Sequence, residues 1–380
     1  MASTDTADRF GFGANWADYI EKNFSKDRLD ISKTHLLEFL KLSNLEGKTF
    51  LDIGCGSGLH SLAAYESGAK SVFSFDFDKN SVATTKKLHA FAGSPNNWTI
   101  SQGSVLDAEF MQTIPKADIV YSWGVLHHTG SMWEAINNAA IPMHEDSIFC
   151  IALYTTDVYI DPTPEYWLKI KRQYNDGGEL RKRFMEWRYA YRQLIAPRLK
   201  RLENPLRVIR DYKQTRGMSY WTDVRDWLGG WPMEFAGIEE TKVFCRDKLG
   251  LEMLNINAGE ANTEYVFRRH GANNYWDDVL ASKEIIPMTP RFKHHGGSAW
   301  FYALDNVPVH LSDDKEHPKR SKLMLFENGV PVGFAHMPVA HVEQYGGSRY
   351  LHGKEGIYFS TMDNSDPNDN GRSYSYCLDW

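Results

Sequence analysis

"FLDIGCGSGLHSL", Phe50 to Leu62, decides how this chain is read. A short apolar run holding Asp52 gives way to Gly54, Gly56 and Gly58, and then to residues with helical spacing. Glycines between a buried strand and a helix allow a tight turn, and they let a ligand approach the N–H groups at the helix N-terminus. The dinucleotide fingerprint G-x-G-x-x-G would need glycine at position 59, where this chain has Leu59. The spacing G-x-G-x-G after Asp52 suits instead a ligand with an amino-acid end and no pyrophosphate.

Outward from this turn, between about Asp30 and Thr155, "TFLDI", "SVFSFD", "WTISQ", "ADIVYS" and "SIFCIALY" are compact and apolar enough to be buried strands. Helical runs separate them: "SGLHSLAAYESGA", "KNSVATTKKLHAFAG" and "SMWEAINNAA". This alternation predicts a parallel sheet covered by helices, with ligands at the C-terminal ends of its strands. From about 160 to 235 the texture turns helical, basic and aromatic, as in "ELRKRFMEWRYAYRQLI", which predicts an insertion. "LEMLNIN" and "TEYVFRR" then read as an antiparallel pair closing the sheet. Beyond an edge near Arg269 to Asn274, short strands with turns predict a β-sandwich or jelly-roll-like module over 270–380. Asn328-Gly329 marks a hairpin there, because both residues tolerate positive φ.

Two further strand ends carry candidate ligand groups. Asp76 ends "SVFSFD", where it could accept both hydroxyls of a ribose, with Asp78 its rival. After the third strand, Gly103, Ser104 and Val105 of "QGSVLD" lie where the edge of an adenine can be read. Each signal is weak alone, but their order at three successive strand ends is specific.

This constellation resembles the class I S-adenosylmethionine-dependent methyltransferases over about residues 30–269. "LDIGCGSG", "QGSVLD" and "YSWGVLHHTG" are similar to the branch that includes ubiquinone and menaquinone methylases and sugar O-methyltransferases. The resemblance implies a Rossmann-like α/β fold with a seven-stranded sheet and S-adenosyl-L-methionine as cofactor. It also implies that Asp52, Gly54 and Gly56 hold the methionine portion, Asp76 the ribose, and Ser104 with Val105 the adenine. Ser104 departs from the acid that many relatives carry. Trp123 is expected to shape the cofactor pocket or to belong to the core.

"YSWGVLHHTG" places His127 and His128 just after the fourth strand, where cofactor and acceptor should meet. Methyl transfer from a sulfonium is an in-line displacement, and a hydroxyl acceptor must also lose a proton. Imidazole suits that removal. His128 is the sharper candidate for the base, and His127 is a second candidate or a packing residue. A metal held by this pair is not expected, since no third ligand stands at suitable spacing.

Two more segments resemble bacterial methyltransferases associated with surface-glycan synthesis. In "FGFGANWADY", Asn15 and Trp16 belong to an N-terminal arm, residues 1–29, that is expected to close over the site. In "RGMSYWTDVRDWLGGWPMEFA", Asp226, Trp227 and Glu234 are expected to line the acceptor pocket. Together these imply O-methylation of a sugar, nucleotide sugar or glycan-related hydroxyl. A methyltransferase for a small non-sugar metabolite, and a non-catalytic glycan-binding protein, are the rival readings. "DPNDNG", Asp366 to Gly371, begins like a calcium loop, but Cys377 stands where its closing glutamate should be, so an Asx-rich turn is expected.

Composition bounds these readings. With 380 residues, 42% hydrophobic and 24% charged, the chain is long enough for a full core and an added module. Four cysteines without a CxxC pair suit a reducing, cytoplasmic setting rather than a disulfide framework. No apolar run approaches the roughly 18 residues of a membrane span. A net charge of −6 argues against general nucleic-acid binding, yet Glu165 to Arg216 holds 15 Lys/Arg against 6 Asp/Glu. That block could attract an anionic acceptor or the surface of a membrane.

Overall fold

The computed structural model describes residues 25–216, 219–259, 262–304 and 307–380, with the backbone alone over 213–216. Asn15 and Trp16, and most of the expected N-terminal arm, lie outside the described residues. The chain divides into two compact units, Met1–Ala236 and Gly237–Trp380.

In the first unit, α1 (Lys26–Leu40) leads into five strands that alternate with helices. These are β1 (Thr49–Ile53), β2 (Ser71–Asp76), β3 (Trp98–Gln102), β4 (Ala117–Trp123) and β5 (Met143–Tyr154). Between them run α2 (Leu59–Glu66), α3 (Lys79–Phe91), α4 (Ala108–Thr113) and α5 (Met132–Ala139). β1 pairs in parallel with β2 on one side and β4 on the other, so the strand order reverses there. A reversal of this kind opens a crevice above the strand ends, flanked here by the loops after β1 and β4. Phe50, Leu51 and Ile53 are buried, as the near-continuous apolar run predicts for a strand covered on both faces.

The expected insertion is mainly helical over its described residues: α6 (Pro164–Asn175), α7 (Glu179–Ala190), a π turn (Tyr191–Ile195), α8 (Ala196–Lys200), α9 (Pro205–Arg216) and α10 (Tyr220–Gly229). Tyr174, Ala190, Leu194, Tyr220, Val224 and Leu228 form its own apolar core.

The second unit opens with α11 (Ile238–Leu249) and the antiparallel pair β6 (Leu251–Ala258) and β7 (Asn262–Arg269). The five strands of the first unit run in the order β3-β2-β1-β4-β5. After α12 (Tyr275–Ala281), residues 286–377 supply two further four-stranded sheets, antiparallel in every described pairing. Met288, Leu325, Tyr350, Ile357, Phe359 and Tyr376 belong to one core drawn from both. This is compatible with the expected sandwich and not specific to a jelly roll. Asn328 (φ 52°) and Gly329 (φ 76°) form the hairpin turn read from the sequence, with Glu327 opposite Val330.

Candidate active site

The loop after β1 is built as the glycine spacing requires. Gly54, Gly56 and Gly58 all have positive φ, and a Cβ on Gly54 would come within 2.4 Å of Val125. The loop after β1 therefore packs directly under the loop after β4. Its backbone is tied down by Gly54 and Cys55, whose N–H groups donate to the Phe75 carbonyl at 2.8 and 3.0 Å.

Asp52 is fully buried and accepts from the Ser61 hydroxyl of α2 at 2.5 Å, while Ser61 also meets Ser74 of β2 at 2.7 Å. Burial pushes its pKa up to about 7. In this arrangement the carboxylate clamps strand to helix.

Asp76 faces the glycine loop. Its two oxygens accept from the Gly56 N–H at 2.9 Å and the Asp78 N–H at 2.8 Å. Each carboxylate oxygen has a second lone pair, so acceptor capacity remains. Burial pushes the Asp76 pKa up to about 6, against the backbone donors that favour its charged form. The rival Asp78 is spent locally, capping α3 by accepting from the Asn80 N–H at 2.8 Å.

At the end of β3, Gly103 donates to the Asp76 carbonyl at 3.0 Å, and any Cβ there would strike the Phe110 ring at 2.1 Å. Ser104 turns its hydroxyl to the Leu106 N–H at 3.2 Å, and Val105 is buried with its carbonyl bonded to Asn138 at 3.1 Å. Trp123, at the tip of β4, is 39% exposed and lies 5.6 Å from the His60 ring.

Leu126–His128 form a 3₁₀ turn immediately beyond β4. The two imidazoles lie 4.4 Å apart, and Tyr154 at the end of β5 lies 4.3 Å from His127 and 5.7 Å from His128. His127 is wholly buried, and neither ring nitrogen makes a hydrogen bond of normal geometry. Its pKa is driven well down, first by burial and then by His128 and Lys171, despite weak support from the Ala152 backbone. His128 keeps some exposed surface while its ring is shielded. Its Nδ1 sits 2.7 Å from the Pro232 carbonyl, which assigns the proton to Nδ1 and leaves the lone pair on Nε2. Burial lowers its pKa to about 3, so the ring is neutral.

The segment that follows the insertion holds this loop in place. Glu234 donates its N–H to the His127 carbonyl at 2.8 Å, and its carboxylate accepts the Met132 N–H at the start of α5 at 2.9 Å. Trp227 stacks on Tyr159 at 5.8 Å and meets Trp167 at 5.0 Å and Tyr154 at 5.8 Å. Sequence and structure therefore bring His127, His128, Trp227 and Glu234 into one neighbourhood. Asp226 adds its charge beside Lys171.

Lys171 and Tyr154 were missed by the sequence reading. Lys171 is buried with its ammonium 4.3 Å from the Trp227 ring, and it donates to the Trp227 carbonyl. Burial lowers its pKa to about 7. A signal was available: Lys171 stands four residues after Trp167 and three before Tyr174, on the apolar face of α6. Tyr154, the last residue of the fifth strand, was legible as a strand-end position. Among the described residues no cluster of three or more His, Cys, Asp or Glu could hold a metal ion.

These parts form two adjoining sites at one sheet edge: a glycine-rich turn with a shielded carboxylate, and an aromatic wall carrying a neutral histidine. Residues 25–205 match the family model described as a methyltransferase domain. Over this stretch the chain is similar to methyltransferase domains, and S-adenosylmethionine is the cofactor that such domains use. The residues present fit that group, since the glycine turn leaves room at the α2 N-terminus and Asp76 retains acceptors for a diol.

Among curated proteins the chain is 39% identical over 84 residues to a ribosomal protein L11 methyltransferase from Helicobacter hepaticus, covering 22% of this chain and 26% of that one. It is 32% identical over 93 residues to a tRNA U34 carboxymethyltransferase from Methylococcus capsulatus, covering 24% and 28%. The chain thus spans about a quarter of the length of the curated relatives it matches. Among solved structures, magnesium protoporphyrin IX methyltransferase from Synechocystis aligns at 12% identity and a TM-score of 0.40, covering 67% of this chain and 93% of that one.

Proposed function

We propose that the protein moves a methyl group from S-adenosylmethionine to a hydroxyl of a sugar or glycan-related acceptor, with His128 as the base. The observation that carries this is the contact of His128 Nδ1 with the Pro232 carbonyl at 2.7 Å, which puts the ring's proton on Nδ1 and makes Nε2 its basic nitrogen. When bound, S-adenosylmethionine would supply a methyl carried on a sulfonium sulfur, and the sulfur is left as a neutral thioether once the methyl has gone. As the oxygen–methyl bond forms and the sulfur–methyl bond breaks, the acceptor proton passes to Nε2. Burial penalises an imidazolium here, but the positive charge at sulfur disappears as the one at the ring appears. The shielded site never has to carry both.

Asp76 is assigned the ribose hydroxyls, and Ser104 with Val105 the adenine edge. Gly54 and Gly56 admit the methionine end, and Asp52 supports that turn from beneath. Tyr154, Tyr159 and Trp227 offer flat apolar faces of the kind that pack on the C–H face of a sugar ring, and Asp226 offers a carboxylate for its hydroxyls. The role read for Glu234 shifts accordingly, from acceptor contact to positioning of the histidine loop. Among the described residues no helix is long and apolar enough to cross a membrane.

The test is labelled-cofactor turnover against sugars, nucleotide sugars, polysaccharide fragments, phenols and amines, read by mass spectrometry. Methylated sugar hydroxyl, lost by about 10²-fold in His128→Ala with cofactor binding intact, is the expected result. Turnover only on amines or phenols, or undiminished turnover in His128→Ala, would overturn it.

A further inference from the structure

We infer that one face of the helical insertion is a docking surface for an anionic membrane. On α7 and the turn that continues it, Leu180, Phe184, Trp187 and Tyr191 recur at intervals of four, three and four residues. That spacing puts all four on one side of a helix. They are 85%, 66%, 59% and 57% exposed, respectively. A stripe of this length facing water is unusual, because an amphipathic helix ordinarily turns its apolar side to the core. Here the core side is already filled by Glu186 and Ala190, and Glu186 accepts from the Tyr174 hydroxyl at 2.7 Å. The exposed stripe is therefore a second apolar face.

Charge selects the occupant. Arg183 lies on one flank of the stripe, and Arg181 and Arg188 on the other, all exposed. Arg192, Lys200 and Arg201 continue the basic border, and Leu199 and Leu202 extend the apolar surface at 53% and 96% exposure. Glu186 is turned inward and faces Arg225 at 3.5 Å, so it does not offset this border. Trp187 is braced against Trp221 at 4.6 Å, which holds its ring in place at the surface. Aromatic and leucine side chains that enter the acyl boundary, rimmed by arginines that reach phosphates, are what a helix lying in a membrane interface presents. A protein partner of neutral surface would leave the arginine rim unmatched. The inference concerns binding alone and does not rest on the acceptor proposed above.

The experiment is co-sedimentation of the full chain with vesicles of phosphatidylcholine alone or with 30% phosphatidylserine, at low and at physiological salt. Binding to the anionic vesicles only, weakened by salt, is expected. The pair Leu180→Glu and Phe184→Glu should reduce it at least tenfold, and Arg183→Gln with Arg188→Gln about tenfold or more, since each cation near such a surface contributes roughly fivefold. All four side chains face solvent, and unchanged circular dichroism and cofactor binding check that the variants fold. Equal binding to both vesicle types, no binding, or self-association without lipid that the same glutamates abolish would overturn the inference.

Discussion

Glu234 accepts the backbone N–H of Met132 at 2.9 Å, joining residues 102 positions apart in the chain. The contact places a carboxylate at the first turn of α5, where it meets both an unsatisfied donor and the positive end of the helix. It fixes the start of α5, and with it the loop that carries both histidines. Replacing Glu234 with alanine should cost about 1 kcal/mol of stability, measured by denaturant unfolding, and glutamine should recover part of it. If the loop role is right, turnover falls further than stability alone would explain, while cofactor affinity stays near wild type.

Gly54 should tolerate no side chain. Its φ of 71° and the 2.4 Å approach of Val125 both oppose a Cβ, so Gly54→Ala is expected to cost about 2 kcal/mol or more. Calorimetric titration with S-adenosylmethionine should show weakened binding in the variant. Val125→Ala in the same background relieves the collision but not the backbone strain, and should restore part of the loss.

Cofactor affinity should weaken as pH falls through about 6, where Asp76 takes up its proton and loses acceptor strength. Asp76→Asn should bind at least tenfold more weakly and show no such inflection. Because the folded pKa of Asp76 is raised, the sign for stability is opposite. Its contribution is fully present below the unfolded value and lost as pH rises from about 4 towards 7. Without cofactor, Asp76→Asn should therefore gain on wild type in thermal melts over that window.

His128 makes the converse prediction. With its folded pKa lowered to about 3, the unfolded chain binds a proton that the fold refuses as pH falls below about 6.5. His128→Gln should be less acid-sensitive than wild type between pH 6.5 and 4, by up to about 1.4 kcal/mol per pH unit. The turnover number of the wild type, measured at saturating cofactor, should show no ionisation near 6.5. An inflection there that disappears in His128→Gln would show that the ring is not held neutral.

Lys171→Met removes a buried amine whose pKa is lowered to about 7. Wild type loses stability as pH falls from about 10 to 7, because only the unfolded chain is protonated there. The methionine variant should be flatter across that range. Acceptor affinity is expected to change more than cofactor affinity, since Lys171 touches Trp227 rather than the glycine turn.

The front half of the molecule was legible because its signals are local. "TFLDI" and "SVFSFD" become β1 and β2 with the predicted residues, and the glycines adopt the positive φ that their spacing implied. The fifth strand is longer than "SIFCIALY", starting at Met143, because neighbouring β4 offers partners to a polar stretch that lacks strand character by itself. α4 was not foreseen; its six residues are too few to show a period, and Asp107 starts it by accepting the Phe110 N–H. The site was legible as strand ends but not as contacts. That His128 would be tied to Pro232, 104 residues away, and that Lys171 would lie buried beneath Trp227, depend on how the insertion folds back. No short window of sequence holds that information.

The division of labour between strand-end loops and insertion has a practical outcome. The contacts proposed for the cofactor lie within residues 52–105, whereas the aromatic wall and the support for the histidines come largely from residues 154–234. On the roles proposed here, grafting a different helical segment onto the same sheet is expected to exchange the acceptor while leaving the methyl donor unchanged, provided that Pro232 and Glu234, which hold the histidine loop, are kept.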